Sequence, residues 1–172
     1  MMLKAYSIFL LISLSILNLR ASEYEITVLA TNTANFGGIG EWSFSALLES
    51  DDEKVLFDTG FNENTVLHNA KLLGKDLSQV EKVILSHFHG DHTGGLIKLR
   101  KTFMEINPKA FSTVYVAEGF FEQRYDQSGE IRGFIGGFND VNNFLNETDR
   151  LGIKFIILEE PKEISENLYL SG

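Results

Sequence analysis

The chain has 172 residues, 44% hydrophobic and 23% charged, an ordinary composition for one globular domain and unlike a disordered or collagenous chain. Its formal charge of -9, from 15 Lys+Arg against 24 Asp+Glu, argues against a nucleic-acid-binding surface, which needs clustered cations to neutralise phosphates. Zero cysteines exclude a disulfide framework, a zinc ribbon, an iron–sulfur site and a thiol nucleophile, so any metal must be held by His, Asp, Glu or backbone.

Residues 1–21 read as a secretory signal peptide. A basic start at Lys4 precedes the uncharged run Ala5–Leu19, and the small residues Ala21 and Ser22 close it. A membrane anchor needs about 20 apolar residues, so this run is short for one. Cleavage near Ala21 predicts a secreted or periplasmic protein, residues 22–172, with no stable membrane anchoring. Losing Lys4 and Arg20 with no acid moves the formal charge from -9 to -11. A cysteine-free exported domain then depends on its core alone.

After the leader, Ile26–Ala30 reads as a strand. A Gly-rich loop, Asn35–Gly40, follows. Ser43–Leu48 and Lys54–Phe57 flank the polar turn Ser50-Asp-Asp-Glu53 and predict an antiparallel hairpin. Asn64–Leu73 places Val66, Leu67, Ala70 and Leu73 on one helical face, with Asn62 or Asn64 to cap it and Gly74 to end it. Lys82–Ser86 has the look of a strand buried on both faces. Ile97–Ile106 is helical, with Leu96, Leu99, Phe103 and Ile106 spaced for one face. Thr113–Val116 is another buried-type strand. Residues 118–138 mix Phe120, Phe121, Tyr125, Phe134 and Phe138 with glycines, and read as a loop or short helical turns. A helix at Asp140–Leu151, ended by Gly152, a strand at Lys154–Leu158 and a strand-like Leu168–Leu170 complete the pattern. No repeat or internal boundary divides 22–172. Strands alternating with helices behind an antiparallel hairpin predict an α/β chain with a mixed (α+β) sheet and helices on its face.

Three of the four histidines fall within six positions, His87-Phe88-His89-Gly90-Asp91-His92. The cluster follows the buried strand, and Thr93-Gly94-Gly95 opens the next helix. Side chains two apart in an extended segment point the same way, so His87 and His89 can grip one ion, while Asp91 and His92 can face a second position. Imidazoles with a carboxylate and no thiolate suit zinc at an open, catalytic site. Asp91 alone could be the cap of the following helix. His68, by itself in mid-helix, reads as exposed and structural. Asp58, ending the run Leu56-Phe57-Asp58-Thr59-Gly60, is suited to accept the N–H of a metal-ligating His; alone it could equally be a turn residue at a strand end.

His87-x-His89-x-Asp91-His92, preceded by Leu-Phe-Asp58-Thr-Gly, resembles the metallo-β-lactamase superfamily. Asn69-Ala-x-x-Leu-Gly74, Val83-Ile-Leu-Ser-His87 and Asp91-His-Thr-Gly-Gly-Leu96 resemble its dihydropterin/ribofuranosylaminobenzene phosphate synthase-like branch, as do Glu160-Pro161-Lys-Glu-Ile164 and Leu168-Tyr-Leu-Ser-Gly172. The resemblance implies a four-layer αββα sandwich with two metal ions at one edge, His87 and His89 on the first and Asp91 and His92 on the second. The superfamily also uses a third His on the first metal, a bridging acid and a final His, and no His follows His92 here. The chain is therefore expected to be the N-terminal part of the domain, as a fragment or as a natural truncation that has lost the chemistry. Ala117-Glu118-Gly119 stands where branch members often carry His-Pro.

The implied activity is that of a zinc hydrolase in which metal-activated water attacks an ester, thioester, amide or phosphodiester of a small molecule, with Asp91 orienting that water and moving its proton. His89 stands where di-iron oxidoreductases of the superfamily place a Glu, which leans toward zinc. A synthase or transferase of the dihydropterin-related branch is the alternative enzyme, and an inactive metal-binding fragment the non-enzymatic one. The 118–138 segment could wall the substrate or simply pack as a loop.

Overall fold

A computed structural model describes residues 24–51, 53–132, 135, 138 and 140–171. The expected signal peptide and Phe134 lie outside the described residues. A six-stranded sheet runs β1 (Glu25–Ala30), β2 (Ser45–Glu49), β3 (Lys54–Phe57), β4 (Lys82–Ile84), β5 (Thr113–Ala117) and β8 (Lys154–Leu158), in that spatial order. The first three strands are antiparallel, and β3, β4, β5 and β8 are parallel. Parallel neighbours need crossovers. These are α1 (Thr65–Leu72), the short α2 (Gly90–Thr93) with α3 (Leu96–Phe103), and α4 (Val141–Arg150). The result is the mixed α/β sheet that the alternating pattern predicts.

Period-2 alternation sorts the strand side chains between two cores. Leu56, Val83, Val114 and Val116 pack with Val66 and Ala70 of α1, Leu96 and Leu99 of α3 and Phe144 of α4. Val55, Ile84, Tyr115 and Leu158 face the other way and meet Ile164, Leu168 and Leu170. These last come from an antiparallel hairpin of β9 (Lys162–Ser165) and β10 (Leu168–Leu170) laid on the helix-free face. Of the implied four layers, the described chain thus builds one helix layer, one sheet and a strand pair on the opposite face. No described helix is long and apolar enough to cross a membrane.

Several boundaries differ from the sequence expectation. The strand expected through Ser86 stops at Ile84, because the Ser86 N–H turns away to a side-chain acceptor on Asp58, 2.8 Å away. Ile106, expected on the buried face, lies beyond the end of α3 and is 69% exposed. Leu73 is exposed past the end of α1, and the backbone turns at Gly74 with φ of 69°. Residues 118–138 contain a small ribbon, β6 (Arg124–Tyr125) with β7 (Ile131–Arg132). The segment's three described phenylalanines pack inward. Phe120 is buried, Phe121 lies edge-on to Phe155, and Phe138 edge-on to Phe144, so the packed reading holds for them.

Candidate metal centre

Two loops at the carboxyl ends of parallel strands meet to make the site, the usual place for a ligand in an open α/β sheet. The first leaves β3. Asp58 adopts φ of 54°, and its backbone is clamped on both sides, with its N–H on the Ile84 carbonyl at 2.8 Å and its carbonyl accepting the Ser45 hydroxyl at 2.8 Å. The side chain is 1% exposed and fully engaged. One carboxylate oxygen accepts the Ser86 N–H at 2.8 Å, and the other takes the Ser86 hydroxyl and His92 Nδ1, each at 2.7 Å.

That last contact sets the chemistry of His92. Nδ1 carries the proton given to Asp58, which leaves Nε2 as a lone-pair donor facing outward. Asp91 Oδ2 lies 3.5 Å from this Nε2. His87 closes the group: its ring centroid is 4.1 Å from that of His92, and its Nδ1 is 3.0 Å from the Ser86 hydroxyl. One ligand atom from each of His87, Asp91 and His92 falls within 4.8 Å of the other two. His89, more exposed, brings Nδ1 to 3.0 Å from His87 Nε2. Two nitrogens on one zinc at about 2.0–2.1 Å and a tetrahedral angle stand roughly 3.3 Å apart, so the donor set fits such an ion.

Burial depresses the His87 pKa below its ordinary 6.5. The neighbouring His92 and His89 add to this, while Asp58 and Asp91 oppose it. A depressed pKa keeps the ring neutral, the form that binds metal.

The structure brings together all four expected ligands and Asp58. His87 and His89 stand 3.0 Å apart by their ring nitrogens and Asp91 and His92 3.5 Å apart, and His87 also joins Asp91 and His92 in one group. α2 begins at Gly90 and turns Asp91 and His92 back over His87. His89, not Asp91, is the residue before the helix, and its carbonyl accepts the N–H groups of His92 and Thr93. His68 is exposed, as expected, and its Nε2 meets the Gly37 carbonyl at 2.7 Å.

The flanking small residues are contacts too. Thr59 donates both its N–H and its hydroxyl to the His92 carbonyl, at 2.7 and 3.0 Å. A Cβ on Gly95 would collide with the Thr59 carbonyl, and one on Gly94 with that of Phe61. The glycines therefore let the helical turn lie flat on the Asp58-Thr-Gly loop. Sequence reasoning missed Glu41, whose carboxylate accepts from Ser43, Phe61, Asn62 and Thr65 and ties the β1–β2 loop to the segment before α1. No spacing marks it. It also missed Arg124, which lies over the Phe88 ring at 4.9 Å.

The profile of the metallo-beta-lactamase superfamily matches residues 43–159, which include this whole constellation. The chain belongs to the metallo-beta-lactamase superfamily. Among curated proteins it is similar to the uncharacterized MJ0448 of Methanocaldococcus jannaschii, 29% identical over 86% of this chain and 52% of that protein. It is also 29% identical to that organism's 7,8-dihydropterin-6-methyl-4-(beta-D-ribofuranosyl)-aminobenzene-5'-phosphate synthase, over 76% of this chain and 42% of the synthase. Among solved structures it resembles Tm1679, a metal-dependent hydrolase of the beta-lactamase superfamily, with 30% identity and a TM-score of 0.61 over 87% of this chain and 48% of that one. The chain thus spans about half the length of these relatives. The superfamily expectation and the mixed-sheet fold are borne out, and proteins of this superfamily typically bind metal ions.

Proposed function

We propose that the protein is a metal-dependent hydrolase that uses zinc, two ions in the complete protein, to cleave an ester, thioester, amide or phosphodiester of a small molecule. The reading rests on one observation: His87, Asp91 and His92 converge while Asp58 occupies the far nitrogen of His92. His87, His89, Asp91 and His92 would hold the metal. When bound, zinc polarises the oxygen under attack and lowers the pKa of a water to about 7.

The chain's own residues set up the rest. Asp58 fixes the His92 tautomer and ring plane from a site closed to solvent. Ser86 spans Asp58 and His87, so one hydroxyl orients both. Asp91, a quarter exposed, is placed to orient a water and accept its proton. Net negative charge speaks against nucleic acid as substrate, and the N-terminal run supports export to the periplasm or medium.

Zinc content and hydrolysis of 4-nitrophenyl acetate and bis(4-nitrophenyl) phosphate test the proposal. It requires at least one tightly held zinc and turnover that is lost on chelation and in H92A. Zinc without turnover supports a metal-binding fragment; no zinc overturns the reading. The identity to the dihydropterin-related enzyme over 76% of the chain favours a synthase or transferase at the same site as the second reading. Loss of the generic hydrolysis with retained zinc and product formation from a pterin substrate would select it.

A further inference from the structure

The β6–β7 ribbon places two arginines opposite one another. Arg124 and Arg132 are directly paired across the antiparallel ladder. Directly opposed residues of such a pair project from the same face, and the charges near them are acids of the same ribbon, Glu122 beside Arg124 and Asp126 within the field of Arg132. The face is identified by Arg124. Its guanidinium carbon lies 4.9 Å from the centroid of Phe88, and the Phe88 ring lies 4.7 Å from that of His89. The guanidinium therefore packs on Phe88, a residue of the histidine loop, and Arg132 projects from the same side of the ribbon.

The guanidinium is held rather than free to wander. Arg124 Nη2 donates to the Gly119 carbonyl at 3.0 Å, next to the end of β5, and Nη1 contacts Glu122 at 3.1 Å. Both partners of that ion pair are solvent-exposed, so it is weak and exchangeable. The turn between the strands is also fixed, since Asp126 accepts from the N–H groups of Ser128 and Glu130 and the Ser128 hydroxyl. In a chain of net charge -9, a cation beside the histidine loop with a second across the ladder suits an oxyanion better than a neutral group.

We infer that Arg124 and Arg132 form a recognition site for an oxyanion on the substrate, a phosphate or a carboxylate, held beside the histidine loop. The inference deepens the hydrolase reading and rests on it for the word substrate, but the anion site can be tested without turnover. Arg124 lies beside Phe88, so its loss disturbs a contact of the metal loop; Arg132, across the ladder from it, provides the second variant.

The test measures binding of phenyl phosphate, benzoate and benzyl alcohol to the full chain at low salt, by calorimetry, with chelator present and again with zinc. The expected result with chelator is binding of an anion but not of the alcohol, weakened about tenfold in R124Q and in R132Q. R124K should retain part of the affinity, and E122Q should tighten it by freeing Nη1. Preference for phenyl phosphate identifies a phosphate, and preference for benzoate a carboxylate. No anion binding by the unmodified chain, or binding in R124Q and R132Q as tight as in the unmodified chain, overturns the site. Failure of zinc uptake with anion binding intact would sink the hydrolase reading and leave the arginine site standing.

Discussion

Asp58 does two jobs with one buried carboxylate: it fixes the tautomer of His92 and anchors the Ser86 turn that leads into the histidine loop. Removing its charge while keeping its shape separates chemistry from packing. D58N is expected to weaken zinc binding by 10–100-fold, the usual effect of losing the partner of a metal-ligating His, with little change in secondary structure. Competition with a chelating dye, followed by circular dichroism, reads both. Protons compete at the same place. The folded-state pKa of His87 is lowered from 6.5, so between the two values the unfolded chain binds the extra proton and the folded chain does not. Stability of the metal-free protein from this residue is therefore complete above pH 6.5 and is lost as pH falls through the folded value. Urea midpoints measured from pH 7.5 downward should show that loss in the parent chain, and H87N should flatten it.

Elements meet at Arg100. It is 5% exposed, lies on α3, and donates to three carbonyls: Leu151 at the end of α4 by 2.9 Å, Pro108 by 2.8 Å and Ala110 by 2.6 Å. A cation at the carbonyl end of α4 is favourable, and its planar fork reaches acceptors from two segments at once. R100M keeps the stem and strands three carbonyls, at a cost of about 3 kcal/mol. Urea unfolding should show a lower midpoint with an unchanged slope, and R100K should recover only part of the difference. Nothing in the sequence pattern marks Arg100, because a charged residue at a helical position reads as solvated until its partners are known. The same limit hid β9, where Ile164 is the single buried residue among polar neighbours. By contrast β3, β5 and β8 were legible as apolar runs, and Gly152 correctly marks the end of α4. Asp140 caps that helix by accepting from the N–H groups of Asn142 and Asn143. Leu73 and Ile106 were misread because periodicity continues on paper after a helix has stopped.

Across the whole molecule, the site was legible because its four candidate ligands lie in six consecutive positions, and the part that was not legible is how that short loop is coupled to the sheet. The coupling runs through Asp58, Ser86 and Thr59, which join the ends of β3 and β4 to α2. A metal on a loop so short gains little by closing chain, so its effect on global stability must come from mass action on the folded form. At a hundredfold excess over the dissociation constant that effect is about 2.7 kcal/mol. For a domain of this size, 1 kcal/mol moves the midpoint by roughly 2–4 °C. Zinc should therefore raise the thermal midpoint by about 5–10 °C, a shift that chelator reverses and that H92A abolishes. In D58N the same zinc concentration should give a smaller shift, since the weakened dissociation constant lowers the saturation ratio. Equal shifts in D58N and the parent chain would mean that the ion seats without the Asp58–His92 bond, and that the buried carboxylate serves the β3–β4 junction alone.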